Sequence, residues 1–267
     1  MLAASLTRPV ADLYRVRELV ALLVARNLKA RYKRSALGMA WTLLNPLLQM
    51  AVYTVVFSRV VRIDTPAYAL YVLAGLLPWS LISVGTVSAS HALLANQGLI
   101  RKVAVPQAVY PLAVVGGKLV DVALSLAPLA VVAALQGRPP GASWLALPVA
   151  LLLAFAFTTG LALLVSSLTV FFRDLRHLVE VLFQVWFYLT PVLYPASYVE
   201  ALGSGWLRRL LAANPATPIV ALFQEAVHAG RFPPPGELAA ATAVAAAALV
   251  LGLWAFHRSE GQHLHWF

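Results

Sequence analysis

The chain has 267 residues, 61% hydrophobic and 11% charged, with 20 Lys and Arg against 10 Asp and Glu for a net charge of +10. Soluble domains run at about 45–50% apolar and about 25% charged residues, so no water-soluble fold absorbs this much apolar surface and the bilayer is the implied solvent. The basic residues lie between apolar stretches instead of in one patch, which argues against a nucleic-acid partner, and the absence of cysteine excludes disulfides, thiol catalysis and cysteine metal centres.

In residues 9–34, Leu13, Val16, Leu19, Val20, Leu23 and Val24 recur mainly at three- and four-residue spacing, so residues 1–34 read as an amphipathic interface helix. Such a helix lies on the membrane with its basic side toward headgroups; packing of the same face on a partner is the alternative. The apolar run Leu19–Ala25 is followed by Arg26, Lys29, Arg31, Lys33 and Arg34 with no small-residue cleavage site, so it is expected to be retained.

Six spans follow, at about 36–58, 68–90, 110–135, 144–170, 178–193 and 238–256, within a permease domain of residues 35–256. The fifth is short and ends at Pro191 and Pro195, because proline lacks a backbone donor. Thirteen Lys and Arg fall on the side of the N-terminus (Arg8, Arg15, Arg17, Arg26, Lys29, Arg31, Lys33, Arg34, Arg101, Lys102, Arg173, Arg176, Arg258). Six fall on the other (Arg59, Arg62, Arg138, Arg208, Arg209, Arg231), which predicts cytoplasmic termini. Residues 194–236, broken by Pro215, Pro218 and Pro233–Pro235 yet carrying Trp206, Leu210, Ile219 and Phe223, read as short re-entrant helices before the last span. The fold class expected is all-α integral membrane, with a solvated cytoplasmic tail over 257–267.

Catalytic signatures are absent. Ser88, Ser90 and His91 are too close in sequence to pair as nucleophile and base. His257, His263 and His265 lack a carboxylate or thiol to complete a metal site, so no metal is expected. Gly116-Gly117-Lys118-Leu119 resembles the end of a phosphate-binding loop, but Leu112 stands where its first glycine belongs and Leu119 where Ser or Thr belongs. No nucleotide cofactor is therefore expected in this chain, and ATP with Mg falls to a separate subunit if ATP drives it.

Two groups of residues remain as site candidates. Lys118 and Asp121 lie three apart inside the third span, on one helical face, where mutual pairing or a part in a transport path are the two readings of intramembrane charge. Tyr53 and Phe57 on the first span, with Phe183, Trp186, Phe187 and Tyr188 on the fifth, offer flat rings that stack on sugars, or else serve as interfacial belt and core.

The stretch from Arg26 to Trp41, Arg-Asn-Leu-Lys-Ala-Arg-Tyr-Lys-Arg-Ser-Ala-Leu-Gly-Met-Ala-Trp, followed by Asn45-Pro46, resembles the opening of type-2 ABC transporter permeases that export polysaccharides. Phe172-Arg173-Asp174-Leu175 with His177, then Tyr188 to Pro195, and Asn214-Pro215 with Phe223 and Gly230 beyond, resemble later blocks of the same family. The resemblance covers about residues 10–256; Lys118 and Asp121 are outside its pattern.

It implies the transmembrane subunit of an ABC exporter for lipid-linked glycans, O-antigen (lipopolysaccharide) or teichoic acid, in the bacterial inner membrane. It further implies a homodimer bound to two cytoplasmic ATPase subunits. By the same resemblance Asn96, Leu99, Ile100, Arg101, Lys102 and Pro106 contact the ATPase, the aromatic groups line the glycan path, and residues 196–232 gate it externally. Arg173 and Asp174, at the cytoplasmic end of the fourth span, are expected to pair and order that end. A permease for a small lipid or drug is the alternative, and an intramembrane enzyme a more distant one.

Overall fold

The computed structural model describes residues 16–32, 38, 40–103, 105–195, 198–199 and 205–266, most of them helical with no strand among them. Arg8, Leu13, Arg15, Lys33 and Arg34, residues 196–197 and 200–204 of the expected gate, and the side chain of His265 lie outside the described residues.

The first helix, α1 (Arg17–Tyr32), turns Leu23 into a cluster with Ala92, Leu93, Ile100, Val109 and Phe256, with Val16, Leu19, Val20 and Val24 packed around it. The apolar face read from the sequence therefore covers this chain's own helices. Val24 of α1 comes within 3.0 Å of where a Cβ on Gly116 would stand, so the glycine pair that imitates a phosphate loop is a groove for a neighbouring helix.

The second helix, α2 (Ala40–Val55), continues through a π turn at Val56–Val60 to make a 21-residue span. Next come α3 (Tyr68–Ser90), two single-turn helices α4 (Ala92–Ala95) and α5 (Gln97–Ile100), and α6 (Val109–Leu135). A 3-10 turn at Ala142–Ala146 leads into α7 (Leu147–Phe171), followed by α8 (Leu175–Tyr188), α9 (Gly205–Ala213), α10 (Ala216–Gln224) and α11 (Pro235–Trp266). Among the described residues five helical segments are long and apolar enough to cross a bilayer, or six if α9 and α10, bent by 87°, count as one broken span.

Two expectations need correction. The fifth span is not a continuous helix over 178–193: α8 has 14 residues, about 21 Å at 1.5 Å per residue, against about 30 Å of hydrocarbon. The irregular stretch after it carries the chain on to the start of α3, where the Tyr68 hydroxyl donates to the Leu193 carbonyl at 2.5 Å. The tail is also not solvated throughout, because α11 runs unbroken through Trp266 and buries His263 completely, while His257, Arg258, Gln262 and Trp266 stay exposed.

α3 is the hub, with seventeen of its 23 residues buried between α6, α7, α8 and α10. α11 meets α7 backbone to backbone. A Cβ on Gly160 would stand 2.2 Å from the Ala248 carbonyl oxygen, and one on Gly252 would stand 2.1 Å from that of Gly160. Small residues at a helix crossing allow this approach, which explains why the last span is rich in alanine.

The contacts sort the connections onto two ends. α1, the α4–α5 hairpin and the last turns of α11 share one end, through the Leu23–Phe256 cluster and the Gln107 amide N–H, which donates to Glu260 Oε1 at 2.8 Å. At the other end His228 Nε2 meets the Pro66 carbonyl at 2.8 Å, the Arg138 guanidinium donates to the His228 carbonyl, and Ser143 donates to the Ala226 carbonyl at 2.7 Å.

Candidate functional site

A cleft of about 830 Å³ opens between α2, α3 and α8, with the middle of α6 at its base. Its end nearest α1 is polar, lined by Arg31, Asn45, Gln49, Lys118 and Asp121. Farther along, Tyr53, Trp79, Phe183, Phe187 and Tyr188 line it with rings.

The aromatic residues read from the sequence do converge, because α2 and α8 pack on the same side of α3. Tyr53 sits 5.8 Å from Phe187 and 6.5 Å from Phe57, centroid to centroid, and Phe187 sits 5.3 Å from Tyr188. Trp79, not anticipated from the sequence, joins them, at 6.1 Å from Phe183, 5.7 Å from Phe187 and 5.9 Å from Trp186. The available signal was its position halfway along α3, far from the interfaces where indoles usually gather.

Phe57 and Trp186 do not line the cleft. Trp186 turns inward against Phe157 and donates its Nε1–H to Asn214 Oδ1 at 2.8 Å. Asn214 in turn donates to the Leu189 carbonyl at 2.8 Å and to Thr190 Oγ1 at 3.0 Å, while its Oδ1 also accepts from the Ala216 amide at 3.0 Å. This saturated amide joins the end of α8 to the start of α10. Tyr71 donates to the Pro191 and Tyr194 carbonyls at 2.9 Å, and Gln224 Nε2 donates to the Pro191 carbonyl at 3.0 Å. Burial raises the Tyr194 phenol above its ordinary pKa, keeping it a neutral donor to the Tyr188 carbonyl at 2.8 Å. The Thr190–Tyr194 segment thus rests in a cage of side-chain hydrogen bonds.

Asp121 forms no ion pair with Lys118 within 4 Å and acts on it only at longer range. Its Oδ2 accepts from Arg31 of α1 at 2.5 Å, and its side chain is 2% exposed. Arg173 and Asp174, both exposed, form no ion pair with one another; the pairing at that end is Arg176 with Glu180 at 3.2 Å on α8. The Asp174 contribution is instead its carbonyl, which accepts from the amides of His177 and Leu178.

The expected ATPase contacts run from the bend between α4 and α5, through α5, into the loop that follows it. Leu99, Arg101 and Lys102 are exposed, Ile100 is buried as its anchor, and Pro106 is partly covered. Asn96 holds the bend, donating to the Ala92 carbonyl at 2.8 Å and accepting from Arg26 of α1 at 3.4 Å.

Outside the cleft, His263 lies between Gln107 Oε1 at 2.8 Å from Nδ1 and Ser167 Oγ at 3.0 Å from Nε2, and Ser167 meets Ser259 at 2.5 Å. Among the described residues no three His, Asp or Glu side chains gather as metal ligands.

α2 and α8, the walls of the cleft, also turn large apolar side chains outward, among them Leu48, Val52 and Val55 on one and Val181, Leu182 and Val185 on the other. Residues 18–227 match the ABC-2 type transporter family. A permease protein of the O-antigen export system of Myxococcus xanthus is 37% identical over 248 residues, covering 93% of both chains. Two such permeases of Klebsiella pneumoniae are 29% identical over 78% of this chain and 79% of their own, and 31% over 68% and 71%. The helical bundle, its protruding hairpin and these likenesses lead to one assignment: the chain belongs to the ABC-2 type transporter family of membrane permeases.

Proposed function

We propose that this chain is one half of an ATP-driven exporter that passes a lipid-linked polysaccharide of the O-antigen kind across the bacterial inner membrane. The observation that carries the reading is the cleft lined with rings from α2, α3 and α8, with outward apolar faces on both flanking helices. Rings offer flat apolar surfaces to the C–H faces of sugars, and successive rings let a polymer slide without binding tightly at any one point. Two copies facing one another across α2 and α8 would enclose the path and cover Leu48, Val52, Val181 and Val185.

The end bearing α1, Arg101, Lys102 and Arg176 faces the cytoplasm in this reading, with both termini, in keeping with the basic bias. There the α4–α5 hairpin presents Leu99, Arg101 and Lys102 to a groove on a separate ATPase, which supplies the ATP and Mg chemistry. ATP does work only by binding the closed ATPase pair better than the open one. Asn96, joined to Arg26, then passes hairpin motion to α1, and α1 reaches the cleft through Arg31 and Asp121.

The test uses inverted membrane vesicles holding the permease and its ATPase, supplied with a labelled undecaprenyl-linked glycan. Long polymer is expected to accumulate only with ATP, and the double change Tyr53→Leu and Tyr188→Leu, which keeps apolar bulk but removes the rings, is expected to slow polymer more than a short glycolipid. Accumulation of short lipid alone would transfer the protein to the small-lipid class.

A further inference from the structure

Among the described residues, four charged side chains line the cleft: Arg31, Lys118, Asp121 and Glu180. Three of them are accounted for inside the chain. Asp121 takes Arg31 at 2.5 Å, and Glu180 takes Arg176 at 3.2 Å and stands 3.8 Å from His177 Nδ1. Lys118 has no carboxylate within 4 Å and no hydrogen-bond partner among the described residues. It sits on the tenth residue of α6, about 14 Å along the helix from Val109, with its stem 4.0 Å from the Cβ position of Gly85 on α3. A cation at that depth costs several kcal/mol unless something answers its charge. The sequence supplies the obvious answer three residues away, and the fold takes it for Arg31.

The surroundings of Lys118 suit an anion. Asn45 lines the same end of the cleft; its Oδ1 accepts from Gln49 at 3.4 Å, which directs its NH2 group elsewhere, and that group finds no acceptor among the described residues. The rings of the same cleft lie beside this polar end, so an anionic group joined to a sugar meets matching surfaces there. We propose that Lys118, with Asn45 beside it, forms a phosphoryl-binding site at the inner end of the cleft and reads the phosphate that joins lipid to glycan. With its Oδ2 held by Arg31, the Asp121 carboxylate stands beyond 4 Å of the Lys118 ammonium and acts on it only at longer range, which leaves the ammonium's hydrogen bonds to the ligand.

This site rests on reading the cleft as the glycan path, and the two are separable. The full-length chain in phosphatidylcholine nanodiscs is titrated with undecaprenyl diphosphate, undecaprenol or inorganic diphosphate, following tryptophan fluorescence, to which Trp41 and Trp79 in the cleft wall contribute two of seven indoles. Undecaprenyl diphosphate is expected to bind, and Lys118→Met to weaken it about tenfold or more, the scale of a charge-assisted hydrogen bond, while Lys118→Arg keeps most of the affinity. Thermal melting supplies the second readout: Lys118→Met is expected to melt no lower than the parent, because it removes a desolvated ammonium that makes no hydrogen bond or close ion pair among the described residues. Equal binding by Lys118→Met, or a lower melting point for it without rescue of binding by Lys118→Arg, overturns the site.

Competition by inorganic diphosphate would make the bare anion a sufficient ligand. Failure to compete beside a bound lipid diphosphate would make the lipid chain part of the recognition. Both support the site while Lys118→Met abolishes the signal. If the parent exports no glycan but Lys118-dependent binding persists, the export reading fails and the site stands. If export and binding both survive Lys118→Met, the site fails and the export reading stands.

Discussion

α2 and α3 are apolar spans of nearly equal length, 21 residues with the π turn and 23, yet none of α2 is buried and most of α3 is. Their packing differs because their surfaces differ. α3 carries Gly75 and Gly85, whose absent side chains leave room for Gln224 and Thr158 at 2.8 and 2.9 Å from the Cβ positions. α2 has no glycine between Ala40 and Val60 and turns Trp41, Leu48, Val52 and Val55 outward. In lipid, apolar composition drives insertion but not helix association, so grooves and hydrogen bonds decide which helix becomes a fixed centre and which a wall.

The fixed half of this contrast should break hardest where backbones touch. Gly160→Leu forces a side chain into the Ala248 carbonyl, and we expect a loss of about 3 kcal/mol or more, or no folded protein, read by thermal melting of the detergent-solubilised chain. Asn214→Leu removes the group that satisfies Trp186, Leu189 and Thr190 together, with an expected cost of about 2–3 kcal/mol in the same measurement. Tyr71→Phe, which loses only the donor to the Pro191 and Tyr194 carbonyls, should cost about 1–2 kcal/mol. On α2 the effect should nearly vanish: Leu48→Ala with Val52→Ala is expected to shift melting by less than about 0.5 kcal/mol. Because the chain lacks cysteine, Val52→Cys alone offers one thiol, and bis-maleimide treatment should give a crosslinked dimer from membranes. A large melting loss on α2, or no crosslink, would erase the distinction between core and wall.

The long spans were legible because uninterrupted apolar runs have few other uses, and Pro191 did mark where α8 had to yield to irregular backbone. The length of α8 was not, since the apolar run passes from helix into the caged Thr190–Tyr194 segment without a change in composition. The tyrosines and glutamine of that cage lie on α3 and α10, beyond the reach of local pattern. Charge pairing was misread for the same reason. Asp121 has a lysine three residues away, but its partner Arg31 is 90 residues distant. His263 looked like part of a solvated tail while its partners Ser167 and Gln107 are 96 and 156 residues away. The aromatic lining was half legible: Tyr53 and Phe187, both singled out from the sequence, do meet, whereas Trp79 enters only through the packing of α3 between the two walls.

α7 and α11 touch at two separate heights, Gly160 against Gly252 and Ser167 against Ser259 and His263. From Gly252 to His263 is about 16 Å of helix at 1.5 Å per residue. A rod fastened at two points so far apart cannot pivot on its neighbour, so α7 and α11 travel as one piece. The displacement that admits a polymer must then fall to α2 and α8, whose attachments to the rest of the chain are sparser, and the stroke of the machine is set on their side of the bundle.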